Sequence, residues 1–74
     1  MPKNSEDKVL IEGMVEEALP SLVFKVKPAD GGESVLAHLA GRLKMHFIKV
    51  VPGDRVIVEV SRYDRKRGRI VRRL

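Results

Sequence analysis

Six of the fifteen Lys and Arg residues of this 74-residue chain fall within residues 63–73, reading Tyr-Asp-Arg-Lys-Arg-Gly-Arg-Ile-Val-Arg-Arg. Asp64 is the only acid there. Cations at this density bind polyanions, and nucleic acid is the commonest polyanion. Ile70 and Val71 lie between the bases, so the stretch reads as a basic turn, residues 64–68, running into a strand, and not as a disordered tail. A second group of cations, Arg42, Lys44, His46 and Lys49, precedes it. Phosphate contacts supply affinity and salt dependence. RNA recognition also needs groups that read shape or unstacked bases. Arg65, Lys66, Arg67, Arg69, Arg72 and Arg73 are the candidate phosphate ligands of the C-terminal group. Phe47, at the end of a helical piece, is equally a candidate RNA contact or a core residue, and Tyr63, opening a polar turn, is a candidate RNA contact or turn-packing residue.

Other chemistries find little support. There is no cysteine, which excludes a disulfide, a thiolate metal site and a thiol nucleophile. The two histidines are isolated and the carboxylates are scattered through polar turns, so no acid–base pocket is in prospect. Gly31-Gly32 lacks the Lys and the following helix of a phosphate-binding loop. Neither enzyme activity, cofactor nor metal is expected. His46 stands among lysines and reads as an RNA contact, since no second ligand has metal-site spacing. His38, between Ala37 and Leu39, reads as a hydrogen-bonded, partly buried residue. The aromatics are Phe24, Phe47 and Tyr63, with no Trp. Phe24 alternates with lysines and belongs in a core. So few rings suit a preformed RNA shape better than a stacked single strand.

The positioning elements must come from one small domain. A chain this short buries only about 60% of the surface its unfolded form exposes. Net charge is +5 but uneven: residues 1–37 carry four bases and seven acids (−3), and residues 38–74 carry eleven and three (+8). One basic face is expected, with Glu12, Glu16 and Glu17 solvating another side. Arg55 and Arg62 read as strand-face charges. No apolar run approaches the roughly 18 residues of a membrane span, and the polar start gives no export signal, so a cytoplasmic monomer with no membrane partner is the expectation.

Residues 1–7 read as a flexible tail and residues 8–74 as the domain. Residues 9–19 read as a long bent strand, with Gly13 allowing a bulge or a sharp coil. Gly13 would weaken a helix there by about 1 kcal/mol. Leu19-Pro20-Ser21 turns the chain into a strand at residues 22–27, where Phe24 and Val26 face one side and Lys25 and Lys27 the other. Residues 28–33 are a turn cluster, residues 34–39 a third strand, and residues 40–47 a short helix or 3₁₀ turn. Pro52-Gly53-Asp54 is a turn. Residues 55–60 form the fourth strand, with Val56, Val58 and Val60 on one side, and residues 69–73 the fifth. Five short strands with a helical piece between the third and fourth fit an all-β, five-stranded OB-fold barrel. An SH3-like barrel normally lacks that insert. In an OB-fold the loop between strands four and five flanks the binding face, and that loop is the basic turn.

Leu19-Pro20, Phe24-Lys25-Val26, the run Ala-His-Leu-Ala-Gly-Arg-Leu-Lys-Met-His-Phe-Ile-Lys-Val at 37–50, Pro52-Gly53-Asp54-Arg55-Val56, Tyr63-Asp64 and Lys66-Arg67-Gly68-Arg69-Ile70-Val71 together resemble bacterial translation initiation factor one. The resemblance covers nearly the whole chain after residue 8. It implies an S1-like OB-fold that binds 16S rRNA at the aminoacyl (A) site of the small ribosomal subunit. There the family lies beside a small-subunit protein, blocks premature tRNA entry and cooperates with the second and third initiation factors. Three departures stand out. The loop at residues 30–34 is about one residue longer than usual, Arg62 stands where the family often has Pro, and Arg65 stands where an apolar Leu is usual. The alternative from the residues alone is a general basic OB-fold RNA chaperone, or a protein-interaction module without a specific ribosomal site.

Overall fold

The computed structural model describes residues 8–45 and 49–74. The expected tail at residues 1–7, together with His46 and Phe47, lies outside the described residues. The elements in chain order are β1 (Lys8–Leu19), a 3₁₀-type turn (Pro20–Leu22), β2 (Val23–Pro28), β3 (Val35–Leu39), α1 (Gly41–Met45), β4 (Arg55–Ser61) and β5 (Asp64–Arg73). The strands close into a barrel in the order β1-β2-β3-β5-β4, and β4 pairs back to β1. Every pairing is antiparallel except that of β3 with β5. This is the expected OB-fold, with the helix between the third and fourth strands.

β1 closes the barrel because it pairs on both edges. Its first half lies along β4, from Lys8 opposite Ser61 to Met14 opposite Arg55. Its second half lies along β2, from Gly13 opposite Pro28 to Leu19 opposite Val23. Gly13 sits at the overlap, buried, where an added Cβ would stand 2.6 Å from Val26 Cγ1 and 2.7 Å from the Lys27 carbonyl oxygen. Only a residue without a side chain lets the two strands come this close. The register shift is not at Gly13 itself but between Val15 and Glu17. There the main chain of Val15 bonds the loop instead: Val15 donates to the Asp54 carbonyl at 2.9 Å and accepts from Gly53 at 2.8 Å. The Pro52-Gly53-Asp54 turn is formed as expected, with Gly53 at φ +97° and Asp54 Oδ2 accepting from the Val51 N–H at 3.0 Å.

Alternation fills the core. Phe24, Val26, Val35, Ala37, Leu39, Val56, Val58, Val60 and Ile70 all point inward and are buried. Most are β-branched, the residues that pack best on a pleated surface. Leu43 of α1 packs onto this cluster. The helix start is fixed to β5 by the Ala40 N–H, which donates to the Ile70 carbonyl at 2.9 Å. Most boundaries shift by a single residue, and two of the differences have a clear physical reason. Leu22 belongs to the turn and not to β2, because Ser21 and Leu22 hold left-handed φ values of 66° and 59°, which a strand does not admit. The basic stretch from Asp64 is strand and not turn, as described next.

Candidate nucleic-acid interface

The β4–β5 connection is only Arg62-Tyr63, since Ser61 already pairs with Asp64. The Ser61 hydroxyl oxygen accepts from the Tyr63 N–H at 3.1 Å, and Asp64 Oδ1 accepts from the Lys66 N–H at 3.0 Å. These short polar side chains stabilise the turn by bonding their own backbone. The expected turn at residues 64–68 is therefore the first half of β5. Its regular pairing with β4 lapses after Asp64 and resumes at Gly68 opposite Val60. From Arg67 onward β5 pairs with β3, with Arg67 level with Leu36 and Arg69 level with His38. Arg65, Lys66 and Arg67 thus stand where β5 bows away from β4.

With Gly68 and Ile70 turned inward, Arg67 and Arg69 face out. A concave groove of about 780 Å³ runs across the outer faces of β3, β5 and β4. Its cations are Lys8, Arg67 and Arg69, its acids Glu59 and Asp64, and its apolar floor is Val23 and Leu36. His38 lines it too. That corrects the expectation for His38, which is exposed and not partly buried. The reason is period two: Ala37 and Leu39 are both buried, so the residue between them must point out. Sequence reasoning also missed Leu36 and Lys8 as groove residues, and the same alternation carried the signal.

The expected cations do not form one continuous patch. Arg65 and Lys66 line a smaller recess of about 210 Å³ with Gly32 and Glu33 of the β2–β3 loop. Arg65 Nη2 donates to Asp30 Oδ2 at 3.1 Å. The Gly32 N–H donates to the other oxygen, Oδ1, at 2.9 Å. These two contacts, the Gly32 N–H first and then the Arg65 guanidinium, hold the Asp30 carboxyl below the usual aspartate range. Arg69 Nη2 donates to Glu59 Oε1 at 2.7 Å. At the other end of β5, Arg73 Nη1 donates to the Lys49 carbonyl at 2.9 Å, joining the last strand to the segment after the helix. Lys44 and Lys49 are exposed there, and Arg72 is exposed on β5. Arg42 belongs to α1. Tyr63 is 80% exposed at the hairpin tip, which fits a contact role and excludes a core one.

Away from this face, Arg55 does no more than the sequence suggests. Its Nε and Nη2 donate to Glu12 Oε2 at 3.1 and 2.7 Å. Among the described residues, no group of three or more His, Asp or Glu side chains is placed to hold a metal ion, and no helix is long and apolar enough to cross a membrane.

The model of the family translation initiation factor 1A / IF-1 matches residues 1–74 of the chain. The chain belongs to that family. Translation initiation factor one from the Wolbachia endosymbiont strain TRS of Brugia malayi, solved in solution, shares its fold at a TM-score of 0.75 and 39% sequence identity, over 97% of this chain and 84% of that one. YjeQ from Thermotoga maritima, known from a crystal structure, is similar at a TM-score of 0.71 and 27% identity. That likeness covers 89% of this chain but 23% of YjeQ, so it concerns one part of a longer protein. The protein is a translation initiation factor with an OB-fold, and its partners are ribosomal.

Proposed function

We propose that this initiation factor binds the small ribosomal subunit at the aminoacyl (A) site. It rests on 16S rRNA of the decoding region beside a small-subunit protein, blocks premature tRNA entry, and works with the second and third initiation factors. It acts by occupying space in the cytoplasmic ribosome and carries out no reaction. The observation that supports this reading best is the outward row of β5. Arg67 and Arg69 face outward from the part of β5 that β3 holds, beside a groove of about 780 Å³, and Arg65 and Lys66 precede them on the same strand. A rigid strand fixes the spacing of its cations, and fixed spacing suits a preformed RNA shape. Lys49, whose carbonyl Arg73 ties to β5, and the exposed Lys44 near the helix end extend the same interface.

Chemical probing of 16S rRNA tests this. Saturating protein is expected to protect nucleotides of the decoding region and to lose those protections when an aminoglycoside-type A-site ligand is added. Saturable binding with no decoding-region protection, or binding indifferent to A-site ligands, would contradict it.

A further inference from the structure

The arginines of this protein are held in two different ways. Arg55 gives both Nε and Nη2 to Glu12, so the edge of its guanidinium is used up. Arg65 and Arg69 each engage an acid through Nη2 only, Asp30 at 3.1 Å and Glu59 at 2.7 Å. Among the described residues, their Nε and Nη1 hydrogens have no protein acceptor. Both side chains are about half exposed, 48% and 49%, so that open side faces solvent. A guanidinium is a planar fork of five donors, and one carboxylate contact leaves enough of it to grip a phosphate.

The acids are themselves fixed. Asp30 Oδ1 is taken by the Gly32 N–H, and the Gly31 N–H closes the turn onto the Pro28 carbonyl at 3.1 Å with Gly31 at φ +83°. Glu59 lies in the middle of β4, level with Arg69 across the ladder, and is the less exposed member of its pair at 25%. Arg69 is itself held in the ladder between β3 and β4, whereas Arg65 lies where β5 pairs with neither strand.

We infer that Asp30 and Glu59 are specificity-determining positioning residues of the RNA interface: each holds one β5 arginine in a fixed pose for a phosphate at one place, while cancelling part of its attraction for RNA in general. The inference rests on the RNA-binding reading above. Two opposing effects follow. Ordering an arginine in advance removes a rotamer-entropy cost for a target that presents its phosphate at the right point. A flexible RNA can follow a mobile arginine and gains nothing from the pose, yet it still feels the neighbouring carboxylate as lost attraction. The pairs raise discrimination by helping the first target and hindering the second.

The test uses the full chain with Glu59→Gln and Asp30→Asn, titrated against isolated small ribosomal subunits and against a short oligouridine. Both acids are at the surface, so thermal melts of the variants should stay close to the parent. Each variant is expected to bind small subunits about three- to tenfold more weakly. It should bind oligouridine about two- to threefold more tightly, with a salt slope steeper by up to about 0.7. If both affinities rise together, the acids only screen charge and the inference is wrong; if neither changes, it is wrong as well. A readout without RNA separates this from the functional reading. In the free protein, NMR relaxation of the Arg69 Nε–H should show a side chain ordered in the parent and mobile in Glu59→Gln. Equal mobility would overturn the positioning claim whatever RNA does. If the parent protein binds oligouridine as well as small subunits, the functional reading itself has failed.

Discussion

Gly68 on β5 pairs with Val60 on β4 so closely that a Cβ on Gly68 would stand 2.7 Å from the Val60 Cγ1 methyl. The same Cβ would lie 2.6 Å from Val58 Cγ1 and 2.9 Å from the Glu59 carbonyl oxygen. A short-stemmed Val methyl and a strand carbonyl cannot move aside without shifting the sheet. Gly68 separates Arg67 from Arg69, so this tight contact decides how those two side chains are presented. Gly68→Ala is expected to cost about 1–3 kcal/mol by overpacking. Urea unfolding should show a lower midpoint with an unchanged slope.

Arg67 makes no ion pair among the described residues and faces the groove. Arg67→Glu replaces a proposed phosphate ligand with a repelling charge. Small-subunit affinity should fall by more than about tenfold, while stability stays within about 0.5 kcal/mol because the site is exposed. Filter binding beside a thermal melt separates the two. Retained affinity with an intact fold would remove Arg67 from the interface.

The Arg55–Glu12 pair gives the contrasting case. It borders a second, mainly apolar hollow of about 360 Å³ with Met14, Pro28 and Ala29, none of which lines the β3–β5 groove. Arg55→Ala should lower stability by no more than about 1 kcal/mol, as exposed pairs do. RNA affinity should not move. A loss comparable to that of Arg67→Glu would mean the interface wraps much further round the barrel.

Asp30 gives a pH dependence of known sign. Its carboxyl is held below the usual aspartate value in the folded chain, first by the Gly32 N–H and then by Arg65. The stabilisation is therefore present above the ordinary aspartate value and disappears as pH falls through the depressed one. The site is open to water, so the effect is small. Wild type should unfold at a slightly higher denaturant concentration than Asp30→Asn at neutral pH, and the two curves should converge on acidification. A gap that widens in acid would reverse the assignment.

Much of this was legible in the sequence because a small barrel leaves few choices. Period-two alternation placed Phe24 and Val26 inside with Lys25 and Lys27 outside, and Val56, Val58 and Val60 in one row. The helix between β3 and β4 was marked by a run without β-branched residues. Alternation was also available for His38 but was overruled by the general habit of histidines in strands. What could not be read was which edge β5 uses. Its middle, residues 67–70, pairs with β3 in a parallel register that has no local signal, so the start of a strand looked like a loop. The ion pairs were hidden for the same reason: Asp30 and Arg65 are far apart in sequence and meet only when the barrel closes.

Co-sedimentation with isolated small and large ribosomal subunits, at low and at moderate salt, tests the central claim most directly. The account predicts one protein per small subunit, no binding to the large subunit, and an affinity whose logarithm falls against log salt with a slope of roughly −4 to −5 for about six phosphate contacts. Equal binding to both subunits that vanishes at moderate salt would contradict it, and would make the basic face of β5 a general polyanion surface with no site of its own on the ribosome.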